Sequence, residues 1–240
     1  MYSPHGPDLQ GRAEKTGKLG NMNPAPETNY AKAVELWKEW NAKINVISRK
    51  DTDAIYAHHI LHSLAIAEFF SRFHGGDVPG TVLDLGTGGG FPGIPLAMEW
   101  PEAKFTLCDS VGRKVTVALA VAEGLGLENV ECVQARAEEL PGEWDYVVSR
   151  AVAPLETLYS WVKGKFRSGL VCLKGGDVNV EVSLLLRRFA KGPHALVPAQ
   201  IRVWPISDWL HEDYFAEKFV IEVGKTYLCS PLRENDKKQA

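Results

Sequence analysis

The amino-acid sequence predicts an α/β protein whose core is a mostly parallel β-sheet covered by helices. Two observations support this fold class. Short apolar runs alternate with helical segments from residue 81 to residue 189, which is the order expected when helices connect parallel strands. The first run ends in a glycine cluster, as expected where a strand turns sharply into a helix. At 240 residues the chain has the size of one such domain with a modest attachment.

The N-terminal part of the chain predicts helices that precede the sheet. Residues 1–26 are rich in Gly, Pro, Asn and Lys and lack apolar periodicity, so we expect a disordered arm. Apolar residues three and four positions apart predict helices over Thr28–Asn41 and Asp51–Phe73. We expect these helices to form a cap over residues 27–75. Their inward-facing residues would be Tyr30, Ala33, Val34, Trp37, Trp40, Ile55, Ile60, Leu64, Ile66 and Phe70.

The main domain is expected over residues 76–229, followed by a polar tail over residues 230–240. Its predicted strands are Thr81–Leu85, Phe105–Cys108, Val130–Gln134, Tyr146–Ser149 and Leu170–Leu173. Its predicted helices begin at Pro92 and Pro154 or cover Arg113–Glu123 and Val180–Phe189. Two β-rich runs, Ala195–Trp204 and Phe219–Tyr227, have no clear helix pattern between them and predict a closing antiparallel hairpin.

The composition, net charge and cysteine spacing predict a globular protein of the reducing cytosol. Hydrophobic residues make up 45% and charged residues 24% of the chain, as in ordinary globular proteins. The formal net charge is −3, so any nucleic-acid contact has to come from a local basic patch. Cys108, Cys132, Cys172 and Cys229 contain no C-x-x-C pair, which favours free thiols in a reducing cytosol. No apolar run approaches the roughly 20 residues of a membrane helix, and we expect a cytoplasmic protein.

The segment from Asp84 to Gly93 carries the strongest functional signal. Its glycines permit positive φ and let a ligand approach the backbone, and the helix that follows favours a polar or anionic ligand edge. Gly88, Gly90 and Gly93 fit the dinucleotide pattern G-x-G-x-x-G. Gly86, Gly88 and Gly90 fit G-x-G-x-G with Asp84 two residues upstream, and this register follows the strand directly. The second register resembles motif I of class I methyltransferases, where the acidic residue helps to hold the amino-acid end of the cofactor.

Three further residues, after the second and third predicted strands, fit a nucleoside cofactor. Asp109 ends the next predicted strand, where a carboxylate can accept hydrogen bonds from both ribose hydroxyls. This role suits NAD and S-adenosylmethionine equally, and capping of the following helix is the alternative. After the third strand, Ala137 leaves space for an adenine ring, and Glu138 could engage its edge.

Several longer segments, taken together, are more specific than the glycine pattern. They are residues 40–45, 59–61, 84–95, 107–110, 149–151 and 173–175. In this order and spacing they resemble the bacterial 16S rRNA guanine-N7 methyltransferase family, also called glucose-inhibited division protein B. The resemblance extends from about Tyr30 to Tyr227. It departs at His62, where many relatives have an acidic residue.

The resemblance implies a class I, Rossmann-like sheet and methyl transfer from S-adenosylmethionine to N7 of one guanine in small-subunit rRNA. Arg150 would lie where cofactor and substrate meet, and is our candidate catalytic residue. The implied partner is 16S rRNA, in the small ribosomal subunit or an assembly intermediate, with no membrane and no obligate protein partner. The predicted cofactor site consists of Asp84, Gly86, Gly88, Gly90, Phe91, Asp109, Ser110, Ala137, Glu138 and Arg150.

The implied chemistry makes few demands on acid–base groups. Guanine N7 has a lone pair and no proton, so in-line positioning can supply most of the catalysis. The target guanine should be looped or unstacked, because side chains cannot read the deep major groove of duplex RNA. Arg150 could hydrogen-bond guanine O6, stack on the base or pair with phosphate, and a structural salt bridge is the alternative.

Other residues are weaker candidates. Lys43, Arg49, Lys50 and Lys174 are the predicted RNA contacts, although such cations are often simply a solvated face. His58 and His62 have the spacing of a zinc pair, but no third ligand is evident and we expect no metal. Three other functions stay open from the residues alone: a small-molecule methyltransferase with a helical lid, a nicotinamide-dependent oxidoreductase, and a nucleotide-binding regulatory module.

Overall fold

The computed structural model describes residues 27–224. The predicted N-terminal arm, the polar tail, Cys229 and residues 225–227 of the last predicted strand lie outside these residues. Within the described part, a seven-stranded sheet is covered by helices on both faces.

The sheet has the strand order β3-β2-β1-β4-β5-β7-β6. Strands β1 to β5 pair with one another in parallel, whereas β7 is antiparallel to both β5 and β6. Chain order reverses between β1 and β4, and the carboxyl ends of strands at such a point border a ligand-binding crevice. The strands are β1 (Thr81–Leu85), β2 (Lys104–Asp109), β3 (Val130–Gln134), β4 (Trp144–Arg150), β5 (Phe166–Gly175), β6 (Ile201–Pro205) and β7 (Lys218–Gly224).

Six α-helices, supplemented by short 3-10 and π turns, surround this sheet in the described part of the chain. No helix among residues 27–224 combines the length and the apolar character needed to cross a membrane. The helices are α1 (Ala31–Lys43), α2 (His62–Phe73), α3 (Gly93–Glu99), α4 (Gly112–Leu125), α5 (Leu155–Val162) and α6 (Val178–Arg188).

The predicted fold class and the antiparallel end of the sheet are confirmed. The stretch predicted as a second helix is helical throughout but changes form, from a 3-10 segment (Arg49–Ala54) to a π-helical turn (Ile55–Leu61) and then α2. The 3-10 and π segments are six and seven residues long. Over so few residues, apolar spacing does not distinguish helix forms that differ in the number of residues per turn. Strand β6 begins at Ile201, six residues later than predicted, after a separate 3-10 turn.

The helices of residues 27–75 share their apolar core with one face of the sheet. Trp37, Ile66 and Phe69 are fully buried in the same cluster as Leu107 of β2 and Val171 of β5. A second cluster fills the other face, beneath α5 and α6. The proposed boundary between a cap and a main domain at residue 75 stays a prediction, and the shared core leads us to expect that the two parts unfold together.

A pair of identical substitutions tests the shared core. Leu64 of α2 is 2% exposed and Leu184 of α6 is 45% exposed. Leu64→Ala should lower the free energy of unfolding by about 2–4 kcal/mol, because it removes buried methyl groups and leaves a cavity. Leu184→Ala should change it by less than about 0.5 kcal/mol. Urea unfolding should show one transition in each variant, and a separate early transition in Leu64→Ala would contradict the shared core.

Candidate active site

The glycine turn lies between β1 and α3, at the point where chain order reverses. Gly86, Gly88 and Gly90 have φ values of +70°, +57° and +106°, a region that side-chain-bearing residues rarely adopt. A Cβ on Gly88 would meet no heavy atom within 4 Å, so open space lies before the backbone there. Gly93 is needed for packing instead, since a Cβ would lie 2.7 Å from Oδ2 of Asp84. The turn conformation therefore favours the G-x-G-x-G register.

Asp84 holds the turn from inside. Its carboxylate is fully buried, and Oδ2 accepts hydrogen bonds from the Thr87 hydroxyl at 2.6 Å and the Gly93 amide at 2.8 Å. Oδ1 has no hydrogen-bond partner among the described residues. Burial raises the pKa of Asp84 to about 7 despite the bonds from Thr87 and Gly93. The structure thus assigns Asp84 a task within the turn, and its contact with the cofactor stays a prediction.

Asp109 joins the turn to the start of α4. Its Oδ2 accepts from the Gly88 amide at 3.1 Å, and its Oδ1 accepts from the Val111 amide at 2.9 Å. Val111 is the residue just before α4, and α4 has no side-chain cap, so the alternative of helix capping by Asp109 is wrong. The carboxylate is linked to the glycine turn instead. Ser110 is exposed beside it.

The predicted adenine-binding residues follow the neighbouring strand. Ala137 is buried in a 3-10 turn (Ala137–Glu139) after β3, and Glu138 is exposed next to it. Because β1, β2 and β3 are adjacent and parallel, the segments after their carboxyl ends lie along the same sheet edge. The predicted cofactor residues that follow these three strands are thereby brought together.

Phe91 connects the glycine turn to the N-terminal helices. Its ring stacks on Trp37 with the centroids 4.2 Å apart, and the Trp37 indole N–H donates to the Gly89 carbonyl at 2.7 Å. On the other side, the Arg150 guanidinium carbon lies 4.9 Å from the centroid of Phe91. The Phe91 ring is therefore interior, where it fixes the turn against α1, and its contact with the cofactor stays a prediction.

Arg150 ends β4 and reaches across to the π-helical turn. One guanidinium nitrogen, Nη2, donates to Nδ1 of His59 at 2.8 Å, and Nη1 donates to the His58 carbonyl at 3.4 Å. Among residues 27–224, no carboxylate lies within 4.0 Å of the guanidinium. Within this part of the chain, Arg150 therefore forms no structural salt bridge. Burial lowers the pKa of Arg150 to about 10, which leaves it a cation at neutral pH.

The segment that follows β4 is held in an unusual conformation. Ala151 has φ +53°, which is uncommon for a residue with a side chain. The Ala153 carbonyl accepts a hydrogen bond from the Lys174 ammonium at 2.5 Å, and Lys174 also pairs with Glu181 at 2.8 Å. Lys174 is only 8% exposed. The prediction of Lys174 as an RNA contact is therefore wrong, because its ammonium is already bound inside the protein.

The other predicted RNA contacts lie at the surface. Lys43 pairs with Glu39 at 2.7 Å and lies 4.7 Å from the ring of Trp40. Arg49 and Lys50 are exposed in the first 3-10 turn of residues 49–54. These side chains are accessible, and an exposed pair such as Lys43–Glu39 separates easily because it contributes little to stability.

The two histidines with zinc-like spacing have separate surroundings. Nδ1 of His58 lies 2.9 Å from Asp51, and its ring stacks on Tyr214 at 3.9 Å. His62 is buried with neither ring nitrogen hydrogen-bonded to a described residue. Within the described ranges, no group of three or more His, Cys, Asp or Glu side chains is arranged for a metal ion.

Sequence reasoning missed the contributions of His59 and Tyr214. His59 belongs to a segment that carries the family resemblance, and that was the available signal for it. The Tyr214 hydroxyl donates a hydrogen bond to the His58 carbonyl at 3.1 Å, although the two residues are 156 positions apart in sequence. Local sequence patterns do not predict contacts over such a separation.

These residues fit a nucleoside cofactor such as S-adenosylmethionine. The glycine turn leaves open space before Gly88. The Gly88 amide donates a hydrogen bond to the Asp109 carboxylate, which brings that carboxylate next to the open space. The strand order, the glycine turn and the acidic residue at the end of β2 define a class I S-adenosylmethionine-dependent methyltransferase. Solved structures with the same fold include magnesium protoporphyrin IX methyltransferase from Synechocystis with bound S-adenosylmethionine. It has a TM-score of 0.57 and 17% identity, and the match covers 85% of this chain and 100% of that chain.

Sequence comparison identifies the family within this class. The model of the GidB family, described as rRNA small subunit methyltransferase G, matches residues 28–192. The ribosomal RNA small subunit methyltransferase G of Christiangramia forsetii is 45% identical over 208 residues, which cover 83% of this chain and 90% of the relative. That of Flavobacterium psychrophilum is 43% identical, with coverage of 82% and 90%. The chain belongs to the GidB family, and the predicted resemblance is confirmed. The protein is an S-adenosylmethionine-dependent methyltransferase, so the alternatives of a nicotinamide-dependent oxidoreductase and a regulatory module are wrong.

Two glycine substitutions test where the cofactor lies. Gly88 and Gly126 have φ values of +57° and +73°, and neither has a heavy atom within 4 Å of an added Cβ. Gly88→Ala and Gly126→Ala should therefore each lower stability by about 1 kcal/mol. Calorimetric titration with S-adenosylhomocysteine should show weaker binding, by about tenfold or more, in Gly88→Ala alone. Equal binding by both variants would contradict a cofactor site at the turn.

The pKa of Asp84 predicts a pH-dependent stability difference. Since its folded pKa of about 7 exceeds the ordinary value of 3.8, the folded state holds the proton more tightly, and stability falls as pH rises through that interval. Asp84→Asn keeps an oxygen that can accept the hydrogen bonds of Thr87 and Gly93, but this side chain does not ionise. The stability of this variant relative to the unsubstituted protein should therefore increase by at least about 1 kcal/mol between pH 5 and pH 8.

Asp145→Asn is the control for this measurement. Although burial opposes the change, hydrogen bonds from Arg167 and Thr81 lower the pKa of Asp145 below 3.8. Asp145 is then ionised in both folded and unfolded states from pH 5 to pH 8, and its stability difference should stay constant. Urea unfolding at pH 5 and pH 8 measures the stability of each variant relative to the unsubstituted protein. If that stability difference were the same at both pH values for Asp84→Asn, the raised pKa of Asp84 would be contradicted.

Proposed function

We propose that this protein transfers the methyl group of S-adenosylmethionine to N7 of one guanine in 16S rRNA. The observation that carries the proposal is the 45% identity to a ribosomal RNA small subunit methyltransferase G over 83% of this chain. The geometry supports it, because a cationic arginine lies beside the glycine turn at the edge where a nucleoside cofactor fits. The substrate would be the small ribosomal subunit or an assembly intermediate, and the protein would act on it in the cytoplasm.

The residues at the turn would hold the cofactor and exclude water from it. Gly86, Gly88 and Gly90 would provide the cradle, Asp109 the ribose contact, and Ala137 the space for adenine. When bound, S-adenosylmethionine supplies an electrophilic methyl group on a positively charged sulfur. Because guanine N7 carries a lone pair and no proton, the protein has only to orient the base and the cofactor in line.

The titratable groups near the turn agree with a reaction that needs no general base. The Asp84 carboxylate is buried and accepts hydrogen bonds within the turn. His59 already accepts a hydrogen bond from Arg150 at 2.8 Å. Neither group is placed to take a proton from a substrate, and N7 methylation releases none from the base.

RNA contacts are proposed on the exposed face of the N-terminal helices. Lys43, Arg49 and Lys50 are surface cations there, and a net charge of −3 confines attraction for RNA to such local patches. We leave Lys174 out of this surface because of its internal pairing with Glu181. An unstacked guanine would reach the turn from this side.

A methyl-transfer assay tests the proposed function. Small ribosomal subunits from cells that lack the corresponding gene would be incubated with the protein and S-adenosylmethionine labelled in the methyl group. We expect label in one guanine of 16S rRNA, located by the borohydride and aniline cleavage that is selective for N7-methylguanine. Gly88→Ala should incorporate little label and Gly126→Ala should incorporate normal amounts. Absence of label from 16S rRNA with the unsubstituted protein would refute the proposal.

A further inference from the structure

The groups that contact the Arg150 guanidinium among the described residues are neutral. The guanidinium donates to the His59 imidazole and to the His58 carbonyl, and it lies over the Phe91 ring. The nearby carboxylate of Asp51 is engaged by the ring of His58 at 2.9 Å. The positive charge is therefore oriented by hydrogen bonds without being neutralised by an ion pair among the described residues.

His59 is fixed as a neutral hydrogen-bond acceptor. An arginine can only donate, so Nδ1 of His59 must carry the lone pair and Nε2 the hydrogen. Burial, together with the charge of Arg150, lowers the pKa of His59 to about 3. The imidazole is consequently uncharged over the whole working pH range, and it leaves the charge of Arg150 intact.

This arrangement is a poor one for stability alone. Nε2 of His59 is buried without a hydrogen-bond partner among the described residues, and an unsatisfied buried donor costs about 1–3 kcal/mol. A partly buried arginine without a counterion is also unfavourable. A carboxylate at position 59 would remedy both defects. Departures of this kind from the most stable choice are characteristic of functional sites.

The charge of Arg150 restricts what it can bind during methyl transfer. Methylation at N7 leaves the guanine with a positive charge, and a nearby guanidinium would oppose that charge unless an anion lies between them. Arginine pairs most strongly with carboxylate and phosphate oxygens. The ligand group next to Arg150 should therefore be an anionic oxygen, from the carboxylate of the cofactor or from an RNA phosphate.

We infer that His59 is a positioning residue: it aims the guanidinium of Arg150 at an anionic ligand oxygen while leaving the charge of Arg150 uncompensated. The inference rests on the proposed function, which supplies both possible sources of that oxygen. The inference adds one requirement to the proposed function: the hydrogen-bond acceptor at position 59 must be neutral.

Three substitutions at His59 distinguish the effect of a hydrogen-bond acceptor from the effect of a negative charge at this position. His59→Asn places a neutral oxygen near the position of Nδ1, His59→Asp places a charged oxygen there, and His59→Leu removes the acceptor. His194→Asp is the control for the change in charge, because His194 is exposed in the connection after α6. Thermal unfolding of each variant identifies any that fails to fold, and His59→Asn and His59→Leu keep the test decisive if His59→Asp does.

Calorimetry would use S-adenosylhomocysteine, which has a carboxylate, and methylthioadenosine, which lacks one. If Arg150 binds the cofactor carboxylate, His59→Asp should weaken binding of S-adenosylhomocysteine about tenfold and leave methylthioadenosine unchanged. If Arg150 binds an RNA phosphate, His59→Asp should instead raise KM for small ribosomal subunits about tenfold and leave both nucleosides unchanged. In either case His59→Leu should lose the same affinity, and His59→Asn and His194→Asp should keep it.

Two results would overturn the inference. One is a His59→Asp variant with normal affinity for both S-adenosylhomocysteine and small subunits. The other is a His59→Asn variant as impaired as His59→Leu, since a neutral acceptor would then be insufficient. Failure of the unsubstituted protein to methylate small subunits would count against the proposed function instead. The nucleoside titrations would still test whether His59 positions Arg150 for the cofactor carboxylate, and direct binding of small subunits to the variants would test the RNA phosphate.

Discussion

The conformation of the glycine turn is the constraint on which the rest of the site depends. From the inside, the Asp84 carboxylate ties Thr87 to Gly93 and so closes the turn on the first residue of α3. From the outside, Trp37 stacks on Phe91 and donates to the carbonyl of Gly89. These contacts come from β1 and α1. The N-terminal helices are therefore part of the cofactor site and more than a cover over the sheet.

Three buried or partly buried polar groups give the site its electrostatic character. Burial raises the pKa of Asp84 and lowers that of His59, so the charged forms of both are disfavoured. Arg150 keeps its positive charge next to them. In a site of low polarity, such a charge is available to a ligand because the protein does not compensate it. This pattern suits a reaction in which the protein positions two charged or polar partners and moves no proton.

The sequence was sufficient for the parts of the fold that are local. The apolar run of β1, its glycines and Asp109 predicted the turn and the acidic residue at the end of β2, since these depend on neighbouring residues. Contacts between distant segments were not predictable in this way. Lys174 lies near the end of β5 and was predicted to contact RNA, yet it is bound by Glu181 of α6. The link from Tyr214 to the π-helical turn likewise depends on tertiary packing, which no spacing in the sequence encodes.

A crystal structure of the full chain with S-adenosylhomocysteine would test the central claim most directly. We expect the nucleoside along the carboxyl edge of β1, β2 and β3, with its sulfur before Gly88 and facing the side on which Arg150 lies. The turn itself should keep its conformation, because Asp84 and Trp37 hold it independently of a ligand. Nucleoside density at any other place on the protein, with the space before Gly88 left empty, would contradict the account.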